Sequence, residues 1–391
     1  MDIRLFWLAL GAFAIGAEGF VISSLLPAIS ADTGVTIAQG GYLVLAFALA
    51  YALGAPVLAS VTGHRDRRNV LAGGALVFAF GNVVAGLAHS YEQLLVARLI
   101  MAFAAGLYAA TAQATAVAIS EPHHRARAIS VVVGGTTVAV AFGAPLGAVI
   151  ADYAGWRGTF WAVAAVGLAA AVAIWTMLPA GLKGPRLSLA ERLGVIARPG
   201  MVPTLLTTLL PLTGGFAVFT YIAPVATRLI GLNSGLLPVI LLAFGIGAAI
   251  GNYAGGQLAD RFGATLTVAG STLLTAAAVA SMSLVPLLPA SLTEGAFVTL
   301  MLVWGIVAWS LPPAQASRVM KLAPDAAALA LSLNASALYL GVALGSVVGS
   351  LVLTYATLAD LGWIAALFPA AGFAIVALAR PAPSLAEARL G

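Results

Sequence analysis

Apolar residues in this chain are gathered into long blocks separated by short polar breaks. The first six blocks are Leu5 to Ile29, Gly40 to Val61, Val70 to Ala88, Leu94 to Ile119, Ile129 to Ile150 and Thr159 to Leu178. After a longer break come Val202 to Ile222, Leu236 to Leu258, Thr265 to Leu288, Ala296 to Ala316, Ala326 to Leu353 and Gly362 to Ala379. A helix needs about 20 apolar residues to cross a bilayer, whereas a membrane β-strand needs about 10 and alternates in polarity. The blocks therefore predict an all-α membrane protein of twelve transmembrane helices, with six-helix bundles at 1–178 and 201–391 joined by a linker at 179–200. In that linker Ser188 and Glu191 have capping-box spacing, and Leu189, Leu193 and Ile196 share one helical face. This leaves two readings open, a short helix lying on the membrane surface or an unstructured connection.

Composition supports the membrane reading and narrows the rest. Of 391 residues 62% are hydrophobic and 8% charged, so most of the surface must face lipid. The net charge of +5 would suit an acidic partner, but its placement points elsewhere. With the N-terminus inside, fifteen Lys and Arg fall on inner segments, only Arg157 and Arg228 on outer loops, and Arg98 within a helix. That bias predicts that both termini are cytoplasmic. Arg outnumbers Lys sixteen to two amid abundant Ala and Gly, which suggests GC-rich bacterial coding and hence a multi-pass protein of a bacterial inner membrane.

Several function classes fall away. There is no cysteine, and hence no disulfide or thiolate metal site. His64, His89, His123 and His124 lie in or beside loops, without HExxH or paired-carboxylate spacing, so no enzyme is expected. Scattered basic residues and the lack of a P-loop argue against nucleic acid and against ATP as the energy source.

The two halves repeat. Gln113, Pro122 and Ser130 match Gln315, Pro324 and Ser332 at an offset of 202, as Gly143 and Gly147 match Gly345 and Gly349. Pro27 and Gly54 match Pro224 and Gly251 at an offset of 197. A duplicated six-helix unit places any binding site at mid-membrane between the halves and favours alternating access over a channel.

Two charges interrupt the apolar blocks. Glu18 lies at the middle of the first, and an ionisable group there is costly unless it faces protein or a water-filled cavity. Arg98 lies in the fourth block, within a few ångström of the same depth by helical rise, roughly 1.5 Å per residue. Glu18 is read either as a static partner of Arg98 or as a carboxylate that carries protons, the second being favoured. For Arg98 the alternatives are coupling to Glu18 and snorkelling to the membrane boundary. Burial favours the protonated acid and a nearby cation the carboxylate, so alternating access could move a proton on and off Glu18.

The segment Gly255-Gly-Gln-Leu-Ala-Asp260-Arg261-Phe-Gly263 resembles the G-x-L-a-D-R-x-G loop of the major facilitator superfamily. In the first half the related stretch is Gly63-His64-Arg65-Asp66-Arg67-Arg68, where Gly63 stands opposite Asp260. In the family that Asp latches the helices on the inner side, so the resemblance makes Asp260, Arg261, Arg67 and Arg68 gating residues, with Asp66 the one candidate to replace the missing carboxylate. The fifth block, with Gly135, Gly143, Pro145 and Gly147 followed by Gly155-Trp156-Arg157, resembles the antiporter motif of the family's exporters. Glu18 with Leu25-Leu26-Pro27 is similar to the twelve-helix drug:proton antiporters that include sugar, purine-nucleoside and chloramphenicol exporters. The resemblance implies proton-driven export of a small amphipathic molecule, with uptake as the alternative, and no cofactor. It also implies no partner beyond substrate, protons and lipid, and a monomer.

Polar and aromatic residues near mid-depth are the candidates to line a cavity: Tyr51, Tyr108, Gln113, Phe216, Tyr221, Trp304, Asn334 and Tyr339. Mostly apolar walls with few polar anchors suit a small amphipathic or aromatic ligand.

Overall fold

In lipid every backbone N–H and C=O must be satisfied within the chain, so apolar blocks of this length become helices. The structure, a computed structural model, describes residues 2–121, 124–183 and 194–378. The first four helices are α1 (Ile3–Thr33), α2 (Tyr42–Thr62), α3 (Arg67–Gly86) and α4 (Tyr91–Ala118). α5 starts as Arg125–Val138, passes through a π-helical turn at Ala139–Gly143, and runs on into a helix Ala144–Met177. That last helix breaks at Gly155, with φ 68° and ψ 168°; the part before the break completes α5 and the part after it is α6. The second half holds α7 (Met201–Phe219), α8 (Leu237–Phe262), α9 (Ala264–Met282), α11 (Ala327–Tyr355) and α12 (Leu361–Leu378). Between α9 and α11, α10 is Ala290–Trp309 continued beyond Ser310 by Leu311–Leu322.

Without the break at Gly155, Arg127–Met177 would be one apolar helix of 51 residues, some 75 Å long against a hydrocarbon core of about 30 Å. With it the described residues hold twelve helices long and apolar enough to cross. No strand occurs among the described residues, only an isolated bridge between Asp66 and Lys183.

Local chemistry sets the helix ends. Asp2, Asp66 and Ser90 accept from the first-turn N–H groups of α1, α3 and α4, and Thr36 forms a capping box with Gln39 ahead of α2. Gly34, with φ 71°, supplies the left-handed residue that ends α1.

Packing repeats between the halves as the sequence does. α1 packs on α5 and α7 on α11; α2 packs on α4 and α8 on α10; α3 packs on α6 and α9 on α12. The glycines matched in sequence sit at matched contacts. A Cβ at Gly143 would fall 2.7 Å from the Ala17 Cα, and one at Gly345 would fall 2.5 Å from the Thr213 carbonyl oxygen. Gly54 likewise makes room for Phe103, and Gly251 for the Ile306 backbone. The halves meet along α2 with α11 and α5 with α8.

The surface helix expected around Ser188 and Glu191 falls in 184–193, outside the described residues. Beyond it Val195–Ala197 forms a single 3-10 turn, and Val195 packs with Met201, Val319 and Ala330. Arg198 donates two hydrogen bonds of 2.6 Å to the Asp325 carboxylate, so this end of the linker is fastened to the second half.

Candidate functional site

Glu18 and Arg98 meet. Glu18 is 0% exposed on α1 and Arg98 is 1% exposed on α4, and the Arg98 Nη1 donates to the Glu18 Oε1. The Arg98 Nε donates to the Leu43 carbonyl at 3.0 Å, and the guanidinium carbon lies 4.3 Å from the centre of the Phe47 ring. These contacts hold the cation inside the bundle, so snorkelling to the boundary is overturned: three partners at depth replace the water it would have sought. The Glu18 Oε2 has no hydrogen-bond partner among the described residues.

The antiporter-like face of α5 sets this geometry. Gly135 lies against the Ala9 carbonyl, Gly143 against Ala17 and Gly147 against Val21, so α1 is drawn onto α5 on both sides of Glu18. Pro145 cannot donate to the carbonyl four residues earlier, and the π-helical turn ends two residues before it.

A cavity of about 300 Å³ lies between the halves, with Arg98 in its wall. Glu18 is not part of that wall, but its partner Arg98 is. The other walls are chiefly aromatic. Phe20 from α1 reaches Phe216, Phe219 and Trp309 across the interface, with ring centres 5.7–6.0 Å apart. Tyr51 of α2 stacks on Tyr339 of α11 at 3.6 Å. Trp304 is 1% exposed, and its Nε1–H has no acceptor among the described residues.

Of the residues the sequence offered for the cavity, Tyr51, Tyr108, Gln113, Phe216, Trp304 and Tyr339 line it. The Tyr108 hydroxyl is committed elsewhere, donating to the Leu8 carbonyl at 3.0 Å. Tyr221 and Asn334 are not in the wall. Tyr221 donates to the Ser346 carbonyl at 3.0 Å, and the Asn334 amide oxygen accepts from the Thr208 hydroxyl at 2.6 Å. The sequence reading missed Phe20, Phe47, Phe219, Phe244 and Trp309, all in the wall. An aromatic residue in an apolar helix carries no mark that separates a cavity face from a lipid face.

One end of the bundle is closed. Ser346 donates to the Gly41 carbonyl and Ser350 to the Ala38 carbonyl, at 2.5 and 3.0 Å, and Ser336 donates to the Ala52 carbonyl at 3.1 Å. Together with Tyr221, which also reaches Ala38, these are the hydrogen bonds between the halves among the described residues. They run from the 34–41 turn to mid-depth, and none lies at the arginine-rich end.

The gating candidates occupy that end. Asp66 accepts from the Arg68 and Gly181 backbone N–H groups, which ties the α2–α3 turn to the linker. Partial burial opposes its ionisation, but the N–H groups of Gly181 and Arg68 prevail and hold its carboxyl below the usual range. Arg67 donates to the Ala114 carbonyl at 2.6 Å, Arg68 lies over Trp175 and Arg261 over Phe262. Asp260 lies in the last turn of α8 and makes no side-chain hydrogen bond or ion pair with a described residue. In the Gly155-Trp156-Arg157 string, the glycine breaks the chain and Arg157 pairs with Asp32 at 2.8 Å and donates to the Ala88 carbonyl.

Comparison with known proteins agrees with this architecture. Residues 8–346 match the Major Facilitator Superfamily. The chain is 32% identical to the uncharacterised MFS-type transporter YbcL of Bacillus subtilis, covering 93% of this chain and 92% of that one. It is 33% identical to the inner membrane transport protein YdhP of Escherichia coli, over 89% and 88% of the two chains. With a chloramphenicol resistance protein of Streptomyces lividans the identity is 34%, over 91% of each. In fold it is similar to a bacterial homologue of the human lysosomal transporter Spinster, with a TM-score of 0.72 at 19% identity over 97% and 98% of the chains. The chain is a multi-pass membrane protein of the major facilitator superfamily of transporters.

Proposed function

We propose that this transporter exports a small amphipathic molecule from the cytoplasm in exchange for protons, by alternating access. The observation that carries the proposal is the buried Glu18–Arg98 pair behind a cavity with aromatic walls. A carboxylate beyond the reach of bulk water is costly to keep unless it works, and here one oxygen is paired while Oε2 is free to accept a proton. Protonation removes the charge that Arg98 answers. The guanidinium, already part of the cavity wall, then loses its counter-charge, and the altered wall favours release of substrate. Loss of the proton restores the pair. Proton and substrate thus compete through the arginine, which is the requirement for exchange.

The direction rests on three supports. Fifteen basic residues on one set of segments orient that end to the cytoplasm. The hydrogen bonds between the halves lie at the opposite end, which supports a state that faces inward. The fifth helix resembles that of exporters, and one relative confers chloramphenicol resistance by its printed name. Aromatic walls and a single paired cation suit a neutral planar ligand better than a cationic one, and the free indole N–H of Trp304 offers it one donor.

The test uses the purified protein in liposomes loaded with a pH-reporting dye, to which chloramphenicol, sugars and nucleosides are added in turn. Proton movement opposite to the movement of one of these compounds is expected in wild type and is lost in Glu18→Gln. Movement in the same direction would make the chain an importer, and equal responses of the two proteins would reduce Glu18 to a structural role.

A further inference from the structure

A second recess opens on the flank of the first half, away from the central cavity. It has a volume of about 630 Å³ and lies between α2, α3 and α4 at the arginine-rich end. Its lining is polar where the α2–α3 turn and the linker meet, with His64, Arg65, Asp66, Asn69 and Lys183, and apolar along the helices, with Leu58, Val77, Phe103 and Leu107. Gly73 is in its lining, and a Cβ there would meet nothing within 4 Å.

The charges of the polar part are not balanced from within. Asp66 spends its carboxylate on backbone N–H groups, one oxygen on Arg68 and the other on Gly181. Neither Arg65 nor Lys183 has a carboxylate partner among the described residues. The isolated bridge between Asp66 and Lys183 and the bond from the Arg67 N–H to the Leu182 carbonyl at 2.8 Å bring the start of the linker to the α2–α3 turn. Two cations from distant parts of the sequence therefore border one recess, with an apolar trough beside them. A soluble anion would use the cations and leave the trough to water, whereas a plain acyl chain would fill the trough and leave the cations unanswered.

We propose that this recess binds one anionic phospholipid, with its phosphate between Arg65 and Lys183 and the upper part of an acyl chain along Val77, Phe103 and Leu107. A basic pocket between helices at the cytoplasmic face is suited to an anionic headgroup. The site joins the linker to α2 and α3, so an occupied recess fastens the first half to the linker, much as Arg198 and Asp325 fasten the second. The inference is independent of the transported substrate.

The experiment is native mass spectrometry of the full chain released from micelles containing phosphatidylglycerol or phosphatidylcholine with the same acyl chains. Wild type is expected to retain one phosphatidylglycerol more strongly than any phosphatidylcholine. Removing each cation, as Arg65→Ala or Lys183→Ala, should weaken phosphatidylglycerol retention about fivefold. Gly73→Phe fills the trough from a position with free space around it, and should abolish retention of the bound lipid while the unfolding temperature stays near that of wild type. The proposal is overturned if wild type holds the two lipids equally, if Gly73→Phe retains phosphatidylglycerol like wild type, or if millimolar inorganic phosphate alone displaces it, which would mark a plain anion site.

Discussion

At the scale of the residue, three side chains carry the account. Arg98 is a buried cation whose answer is Glu18, and breaking a buried pair from one side costs about 3–5 kcal/mol because the survivor is left uncompensated. Glu18→Ala should therefore lower the thermal stability of the purified protein more than the double substitution Glu18→Ala with Arg98→Met. Equal stabilities would mean that the two charges do not depend on each other. Trp304 is buried in the wall with an unused N–H, and a hydrogen bond from it to a ligand is worth about 0.5–1.5 kcal/mol. Trp304→Phe keeps an aromatic ring and removes the donor, so affinity for a transported compound that accepts a hydrogen bond should fall roughly two- to twelvefold; binding calorimetry would read this. Of these three residues, Glu18 and Arg98 were legible in the sequence because a charge in an apolar block stands out. Trp304 was legible only as a candidate, and Phe20, Phe47 and Trp309 not as cavity residues, because an aromatic side chain is at home on either face of a membrane helix.

At the scale of the element, the break at Gly155 and the glycine face of α5 position the site. Gly155 has open space where a Cβ would stand, so the only obstacle to a side chain there is its left-handed backbone. Gly155→Ala should cost about 1–3 kcal/mol of stability without clash, seen as a lowered unfolding temperature with transport retained. Gly143 is the opposite case: its space is filled by Ala17, so Gly143→Val must push α1 away and disturb the residue next to Glu18. Transport should be lost even where the protein still folds. The internal repeat was legible in Gly143 and Gly54 with their partners Gly345 and Gly251, because a close helix approach demands the same small residue in both halves. The Asp66–Gly181 contact was not, since it joins a turn to a linker 115 positions away and no local pattern announces it.

The linker provides a further test at this scale. The hydrogen bonds from Arg198 are the leading cause that lowers the Asp325 carboxyl from 3.8 to about 2. A depressed carboxyl contributes where it is ionised, so this fastening is complete above about pH 4 and is lost as pH falls towards 2. Hydrogen exchange across 195–201, corrected for intrinsic rate, should show no loosening of this contact between pH 5 and 8. It should become faster in Asp325→Asn, and an unchanged rate in that variant would mean the linker is held by packing alone.

For the whole molecule, the hydrogen bonds that join the two halves among the described residues run from the 34–41 turn to mid-depth, and none of them lies at the arginine-rich end. Such an arrangement can rock, closing one end as the other opens. The twelve-helix plan and its duplication were readable from block lengths and matched residues. Which end is closed was not, because the same apolar faces serve both states.

Substrate movement through the fold and its coupling to protons can be separated by one measurement. In proteoliposomes carrying wild type or Glu18→Gln, exchange of a compound that moves protons in the dye assay is followed without a pH gradient, and its accumulation is followed with one. The account predicts that Glu18→Gln retains exchange, since alternating access and the aromatic cavity remain, but loses gradient-driven accumulation. Accumulation by Glu18→Gln at the wild-type level would contradict it and place proton coupling elsewhere in the chain.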